Sequence, residues 1–356
     1  VGATLVGGGS NVEYNPAPHA PTVPIITPIY LFMAHLATWV SVLVALPLCG
    51  ATWTPVRPST ERPLKLLMCI TGQLGRLEVA SKLENFVMPN VAKGHKVDVV
   101  AVLDSRDDPR FVNALVEIND TRRNTLSALK EHASKFRLVD FTQPENPEAP
   151  KWYAIKLSEG KPQLDSMERV RKHVRQFATI ERCYDEIQDL EFENGQRYDE
   201  IFRVRDDAFI MQPIKPLHEY TTQPDVLVPH CDNWYGINDK AALMLRPAAG
   251  VYFKNYLKTL FYGGENHQIR NPETLTLYML QKGNVTIHQD GERLPVAPLR
   301  GDQEDGCLHM IFHRCWEKML EAINYTPTEK HPWCQNDLER SIWGAPHFVH
   351  HDKLEE

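Results

Sequence analysis

No long block of lysine and arginine occurs in this 356-residue chain, and its acids outnumber its bases to give a formal charge of −7. Gripping nucleic-acid phosphates takes clustered Lys and Arg, so a nucleic-acid partner is not expected. None of the seven cysteines (49, 69, 183, 231, 307, 315 and 334) belongs to a Cys-x-x-Cys pair. That removes the commonest spacing of a structural zinc site. Neither a P-loop nor a Gly-x-Gly-x-x-Gly turn is present. Lys and Arg are missing from residues 1–24, and only one apolar run is long.

That run is Ile25 to Leu48 (IITPIYLFMAHLATWVSVLVALPL), in which His35 is the one side chain that ionises near neutrality. At ~1.5 Å per residue it spans a ~30 Å hydrocarbon layer. It reads first as a single-pass transmembrane anchor. A cleaved signal segment is the second reading, because Cys49 and Ala51 put small residues at cleavage positions. A buried core helix is the third. Residues 1–24, rich in Gly, Pro, Asn and Ala, read as a disordered tail, and 49–63 as a Pro- and Thr-rich stem. Arg57, Arg62 and Lys65 follow the run, which by the positive-inside rule disfavours a lumenal carboxyl-terminal domain. Glycosylation sequons at Asn119, Asn284 and Asn324 point the other way. The six cysteines after Cys49 can form disulfides in a secretory setting, but spacing does not give their connectivity.

The folded domain is expected over 64–356. Leu64 to Thr71 (LKLLMCIT) reads as a first central strand, ending in the turn Gly72-Gln73-Leu74-Gly75-Arg76. Glycines there let backbone amides approach a ligand, and the next helix, Val79 to Val91, turns its amino end toward an anion. A plain tight turn uses the same glycines. Val97 to Leu103 reads as a second strand ending at Asp104. Strands separated by a helix form a parallel βαβ unit, and ligands gather at the carboxyl ends of such strands. Both loops therefore belong on one rim.

Asn119 to His132 reads as a helix, Phe136 to Phe141 as a strand, and Lys151 to Leu164 as a surface excursion. Met167 to Leu190 is the clearest helix, with Met167, Val170, Val174, Phe177, Ile180, Tyr184, Ile187 and Leu190 at helical spacing. Its opening turns carry Arg169, Arg171, Lys172, His173 and Arg175, which form either a solvated face or a reach toward a diphosphate. Gly195 stops it. Val226 to Pro229 and Ala241 to Leu245 read as strands around a loop, His230 to Asp239, crowded with aromatics, amides and acids. Helices are expected from Pro247 to about Leu260 and from Pro272 to Gln281, and strands at Asn284 to His288 and Pro295 to Leu299. Leu308 to Ile323 reads as a helix with His309 and His313 one turn apart near Cys315. These histidines, and His347, His350, His351 and Asp352, are weaker metal candidates than plain surface or core residues.

Arg197 to Met211 (RYDEIFRVRDDAFIM) is the stretch around which the rest is arranged. Glu200 to Arg205 reads as a buried strand that ends in Asp206 and Asp207, with the apolar run Ala208 to Met211 behind. Two acids beside a core are costly unless paired with positive charge. A divalent metal, Arg203 and Arg205, or both would supply it. The plain alternative is a polar turn with its acids in water. If the strand continues through them, the two acids point to opposite faces.

In their order these features resemble GT-A-fold nucleotide-sugar glycosyltransferases, closest to a poorly characterised group found in plants, algae and microbes. The matching pieces are the glycine turn Thr71 to Arg76, then Gln176-Phe177 with Cys183, then Tyr198-Asp199 with Arg203, Arg205 and Asp207. Asn238-Asp239, Pro272-Glu273 and Gly283 to Ile287 complete the match. The match covers roughly Leu64 to Ile287 and is missing from the last sixty residues, and the adjacent acids depart from the family's Asp-x-Asp.

The resemblance implies a Rossmann-like α/β fold with a mostly parallel central sheet. It implies transfer of a sugar from a nucleotide-sugar donor to a hydroxyl of a glycan, protein or lipid. It implies Mn²⁺ or Mg²⁺ on Asp207, assisted by Asp206, to neutralise the leaving diphosphate. Gly72, Gln73, Arg76, Asp104, Arg203, Arg205, Asp206 and Asn238 would contact the donor. Asp239 would be the general base or a sugar-hydroxyl ligand. The domain would lie in the Golgi or ER lumen, tethered to the membrane through 25–48. Two other readings stand beside this one: a metal-dependent hydrolase or phosphotransferase using the same acids, and a non-catalytic binding protein of the same fold.

Overall fold

The computed structural model describes residues 62–105, 126–144, 146–158, 166–301, 308–312, 321–323 and 348–350. The chain divides into Val1–Val56 and Arg57–Glu356, and every described residue lies in the second unit. The tail, the apolar run 25–48, nearly all of the stem, and the sequons at 119 and 324 fall outside the described residues. Among the described residues no helix is long and apolar enough to cross a membrane.

The protein is α/β. β1 (Lys65–Gln73) leads through a 3₁₀ turn, Leu74–Arg76, into α1, whose segments Ala80–Lys82 and Met88–Ala92 flank a π-helical turn, Leu83–Val87. β2 (Lys96–Asp104), a helix α2 at 126–132, and β3 (Lys135–Asp140) follow. Then come α3 (Lys151–Ser158), α4 (Ser166–Asn194), β4 (Glu200–Arg205), β5 (Ala208–Ile210), β6 (Val226–Val228) and β7 (Ala241–Leu245). The rest is α5 (Arg246–Phe253), α6 (Tyr256–Tyr262), α7 (Pro272–Lys282), β8 (Ile287–Gln289), β9 (Val296–Gly301), β10 (Leu308–Phe312) and β11 (Phe348–His350).

The central sheet has seven strands in the order β3-β2-β1-β4-β7-β6-β8. All neighbours are parallel except β7, which runs against both β4 and β6. Strands buried on both faces read as continuous apolar runs. In β1, Leu67 and Cys69 enter one core with α3 to α7, while Leu66, Met68 and Ile70 enter the other with α1 and α2. β5 leaves this sheet and pairs antiparallel with β9 in a second sheet, order β11-β10-β9-β5. The disulfide Cys69–Cys183 ties β1 to α4 through the first core, and Cys231 is disulfide-bonded too.

The topology places the site. The chain lays down β1, β2 and β3 outward in one direction, then returns to put β4 on the other side of β1, paired from Leu66↔Glu200 to Thr71↔Arg205. A crevice opens outside the carboxyl ends of the strands where the order reverses, and ligands of open α/β sheets bind there. Here those ends carry Gly72 and Gln73 from β1 and Arg205 to Asp207 after β4.

Three expectations need correction. Lys151–Ser158 is a helix rather than a surface excursion: Tyr153, Ala154 and Leu157 are buried, and Trp152 Nε1 donates to Leu260 O at 3.1 Å. Eight residues are too few for their period to stand out. The helix begun at Pro247 breaks, because Asn255 adopts φ 69° between α5 and α6. Leu308–Phe312 is a strand paired with β9, not the start of a helix, and His309 lies within that strand. A short apolar run does not separate strand from buried helix by pattern alone. His313, Cys315, His347, His351 and Asp352 lie outside the described residues.

Candidate active site

β4 stops at Arg205, and the chain turns at Asp206 and Asp207 before β5 enters the second sheet. The main chain of this turn is held from both sheets. Asp206 N donates to Thr71 O at 2.9 Å, and Asp207 O accepts from Leu299 N at 2.7 Å. The turn cancels the strand alternation, so the two carboxylates do not point apart. Both meet one guanidinium: Arg76 Nε reaches Asp206 Oδ2 at 3.0 Å, Nη2 reaches Asp206 Oδ1 at 3.1 Å, and Nη1 reaches Asp207 Oδ2 at 3.2 Å. Gln73 N adds a bond to Asp206 Oδ2, and Arg205 Nη2 one to Asp207 Oδ2, each at 2.8 Å. The two acids are 0% and 2% exposed. Buried carboxylates keep their charge only with such partners.

Gly72 makes this packing possible. Its φ is +145°, and a Cβ there would lie 2.1 Å from Asp206 Oδ1. The glycine thus makes room for a carboxylate of the protein itself. Beneath the turn, the fully buried Lys82 of α1 donates to Glu78 O at 2.6 Å, Ala208 O at 2.5 Å and Asp206 O at 3.3 Å. Burial pulls its ammonium pKa down, against the charge of Glu78. Nothing in the sequence marks Lys82, since a lone helical lysine reads as surface.

A second group of charges faces this one from β7 and α7. Arg203, 1% exposed, points from β4 into the helix-covered core, where Nε donates to Thr71 Oγ1 at 3.2 Å and Nη1 to Asp239 O. Asp239 is gripped on both oxygens: Gln176 Nε2 at 2.6 Å and Arg205 Nη1 at 3.5 Å on one, Lys240 Nζ on the other. Burial alone would raise its pKa, but Lys240, Arg205 and Arg203 overcome that and hold it well below the usual carboxylate range.

Glu273, in the first turn of α7, lies 3.6 Å from Lys240. Burial and the Asp239 charge push its pKa up to about 7. Asn271 caps this helix by accepting from Thr274 N at 2.8 Å. Gly236 lies against the Glu273 main chain, where a Cβ would come within 2.1 Å. His173 of α4 shares a 3.1 Å hydrogen bond with Tyr153, and burial with the Arg169 charge lowers its pKa to about 3, so it stays neutral.

The structure brings Gly72, Gln73, Arg76, Arg203, Arg205, Asp206, Asp207 and Asp239 together in one connected network. Asp104 ends β2 beside Gln73 and is buried. Asn238 is fully buried and turned inward, donating to Cys231 O at 2.5 Å and accepting from Lys240 N at 2.7 Å, so it braces the loop. In the basic cluster, Arg171, Lys172 and Arg175 pair with Glu168 at 3.9, 3.9 and 3.4 Å. The charge of Arg169 acts on Tyr153 and His173, and His173 also feels the charges of Asp239, Arg205 and Lys240. Sequence reading missed Lys82, Lys240 and Tyr153. Gln176 and Glu273 were noted in it only as pieces of the family pattern.

The donor set tests the expected divalent ion. Among the described residues no group of three or more His, Cys, Asp or Glu side chains is placed to hold a metal. Both Asp206 oxygens and Asp207 Oδ2 already accept from Arg76, and the guanidinium stands between the two acids. As arranged, these residues do not fit Mn²⁺ or Mg²⁺ between Asp206 and Asp207. No protein-family model matches the chain, and no curated protein matches it.

Proposed function

We propose that this chain is a glycosyltransferase that moves a sugar from a nucleotide-sugar donor to a hydroxyl of a glycan, protein or lipid acceptor. One observation carries the reading. At the point of strand-order reversal, cations suited to a diphosphate stand beside a carboxyl group suited to take up a proton near neutrality. The sheet order and its single reversed strand are compatible with the Rossmann-like GT-A fold that the sequence resembles.

The chemistry follows from the two halves of the site. The bond from the anomeric carbon to the diphosphate breaks, and its electron pair leaves with the diphosphate. Arg76 and Arg205 offer N–H donors and positive charge to those oxygens from a largely water-excluded position. The acceptor oxygen bonds to the anomeric carbon, and its proton must go to a base. Asp239 is a poor proton acceptor, because its cations hold it ionised far below neutral pH. Its gripped carboxylate suits holding a sugar hydroxyl. Glu273, at about 7, matches the need of a general base at physiological pH. The Cys69–Cys183 disulfide supports an oxidising compartment, in keeping with a domain in the Golgi or ER lumen.

Thermal-shift measurement of the purified chain against UDP, GDP and CMP sugars tests this. Ligand at 100 times its Kd stabilises by about 2.7 kcal/mol through mass action. One nucleotide class should raise Tm and the others should not. Hydrolysis of the bound donor at full rate without an acceptor would favour the hydrolase reading. No shift with any of them would leave the non-catalytic reading.

A further inference from the structure

We propose that Arg76 is the resident cation of the acid pair, standing where a divalent ion would stand, so that donor binding in this chain needs no metal. The proposal deepens the glycosyltransferase reading and rests on it for the word donor, but the occupancy of the acid pair is separately testable.

Several observations converge on it. The Arg76 fork makes hydrogen bonds of 3.0, 3.1 and 3.2 Å that span both carboxylates, the way a bridging ion would. Its side chain is 13% exposed while the acids are at 0% and 3%, so the guanidinium closes the pair toward solvent. Asp206 is pinned from behind by Gln73 N and by the contact that only a glycine at 72 allows. It cannot swing outward without breaking β1's end. Arg205 and Lys82 add positive charge on the remaining sides. A divalent ion entering this ring would meet cations, and three of the four carboxylate oxygens that Mn²⁺ or Mg²⁺ would need already accept from Arg76.

The outward edge of Arg76, with that of Arg205 beside it, is left to meet an anion. A planar guanidinium already fixed by carboxylates is rigid, and a rigid fork loses little freedom on meeting phosphate oxygens. The charge of Arg169 on α4 reaches the same neighbourhood, where it acts on His173 and Tyr153. The charge that a leaving diphosphate needs is thus carried by the chain.

The test is Mn²⁺ titration of the full chain, read by loss of the free-ion electron paramagnetic resonance signal. Wild type, Asp207→Asn, Arg76→Ala, Arg76→Gln and Arg76→Ala/Asp207→Asn are compared, with circular dichroism confirming that each is folded. Arg76→Gln keeps hydrogen-bonding capacity and so serves if the alanine variant unfolds. Wild type should take up no Mn²⁺ at this site. A folded Arg76 variant should gain one binding equivalent, and Asp207→Asn should remove the gain. Stoichiometric Mn²⁺ uptake by wild type that Asp207→Asn abolishes would overturn the proposal. So would a folded Arg76 variant that binds none.

A second arm compares the nucleotide-dependent Tm shift in EDTA and in Mn²⁺. Equal shifts are expected, and a shift seen only with Mn²⁺ would overturn metal-independent binding. If no nucleotide shifts Tm at all, the donor reading falls, while the Mn²⁺ titration still decides the place of Arg76.

Discussion

Gly72→Ala is the sharpest test of how the site is built. Two penalties act together in this substitution. The φ of +145° is one that side-chain-bearing residues rarely adopt, and such backbone strain costs about 1–3 kcal/mol. The new methyl would also lie 2.1 Å from Asp206 Oδ1 and 2.6 Å from Oδ2, so the carboxylate must move. That carboxylate accepts from Gln73 N and from Arg76 Nε and Nη2. Losing even one hydrogen bond to a buried charge costs about 1.5–3 kcal/mol. The sum is about 2.5–6 kcal/mol, a large part of the ~5–15 kcal/mol that holds a typical domain together.

Gly94 separates the two penalties. It has φ +85° with nothing within 4 Å, so Gly94→Ala carries backbone strain alone. Urea unfolding followed by circular dichroism, at unchanged m, measures each. In an Asp206→Ala background Gly72→Ala should fall to the cost of Gly94→Ala, leaving a coupling of about 1.5–3 kcal/mol in the double-mutant cycle. Additive costs, or a Gly72→Ala no worse than Gly94→Ala, would refute the claim that Gly72 exists to seat the carboxylate.

Three further outcomes follow. Glu273 has a folded pKa raised to about 7 from an ordinary 4.5, so its contribution to stability is present below pH 4.5 and lost as pH rises to 7. Glu273→Gln should therefore raise Tm at pH 8 but not at pH 4, while the limb of kcat/KM near pH 7 disappears along with most of kcat. His218 has its pKa raised by its hydrogen bond to Glu200, so its support is full below pH 6.5 and fades as pH climbs through the raised value. His218→Gln should flatten that part of the Tm–pH curve. Reducing the Cys69–Cys183 disulfide, or replacing both cysteines by Ala, frees a loop of 114 residues. The chain-entropy estimate for so long a loop is about 4–5 kcal/mol, readable as a lowered urea midpoint.

Much of the scaffold was legible because its signals are long. α4 keeps its apolar spacing for many turns, and β1 and β2 are continuous apolar runs that only a doubly covered sheet can bury. Their shared rim followed from parallel topology alone. The chemistry within that rim was legible only as residue types. That Asp206 and Asp207 share a guanidinium depends on a contact across 130 positions and on a turn that defeats strand alternation. Lys82 and Lys240 gave no sign of burial, since lysine ordinarily faces water. Local pattern likewise failed for α3 and β10, which are short and held in place by tertiary contacts.

The peptide joining Asp206 to Asp207 is a border. The amide on its first side is protected by the seven-stranded sheet through Thr71, and the carbonyl on its second is held by Leu299 of the smaller one. Hydrogen exchange at Asp206 N–H and at Leu299 N–H therefore clocks the opening of two different layers. If the two amides are equally protected, the layers open together and the acid pair moves as one unit. If the Leu299 amide exchanges faster, the smaller sheet can lift while the larger stays closed. Asp207 would then move with one layer and Asp206 would stay with the other.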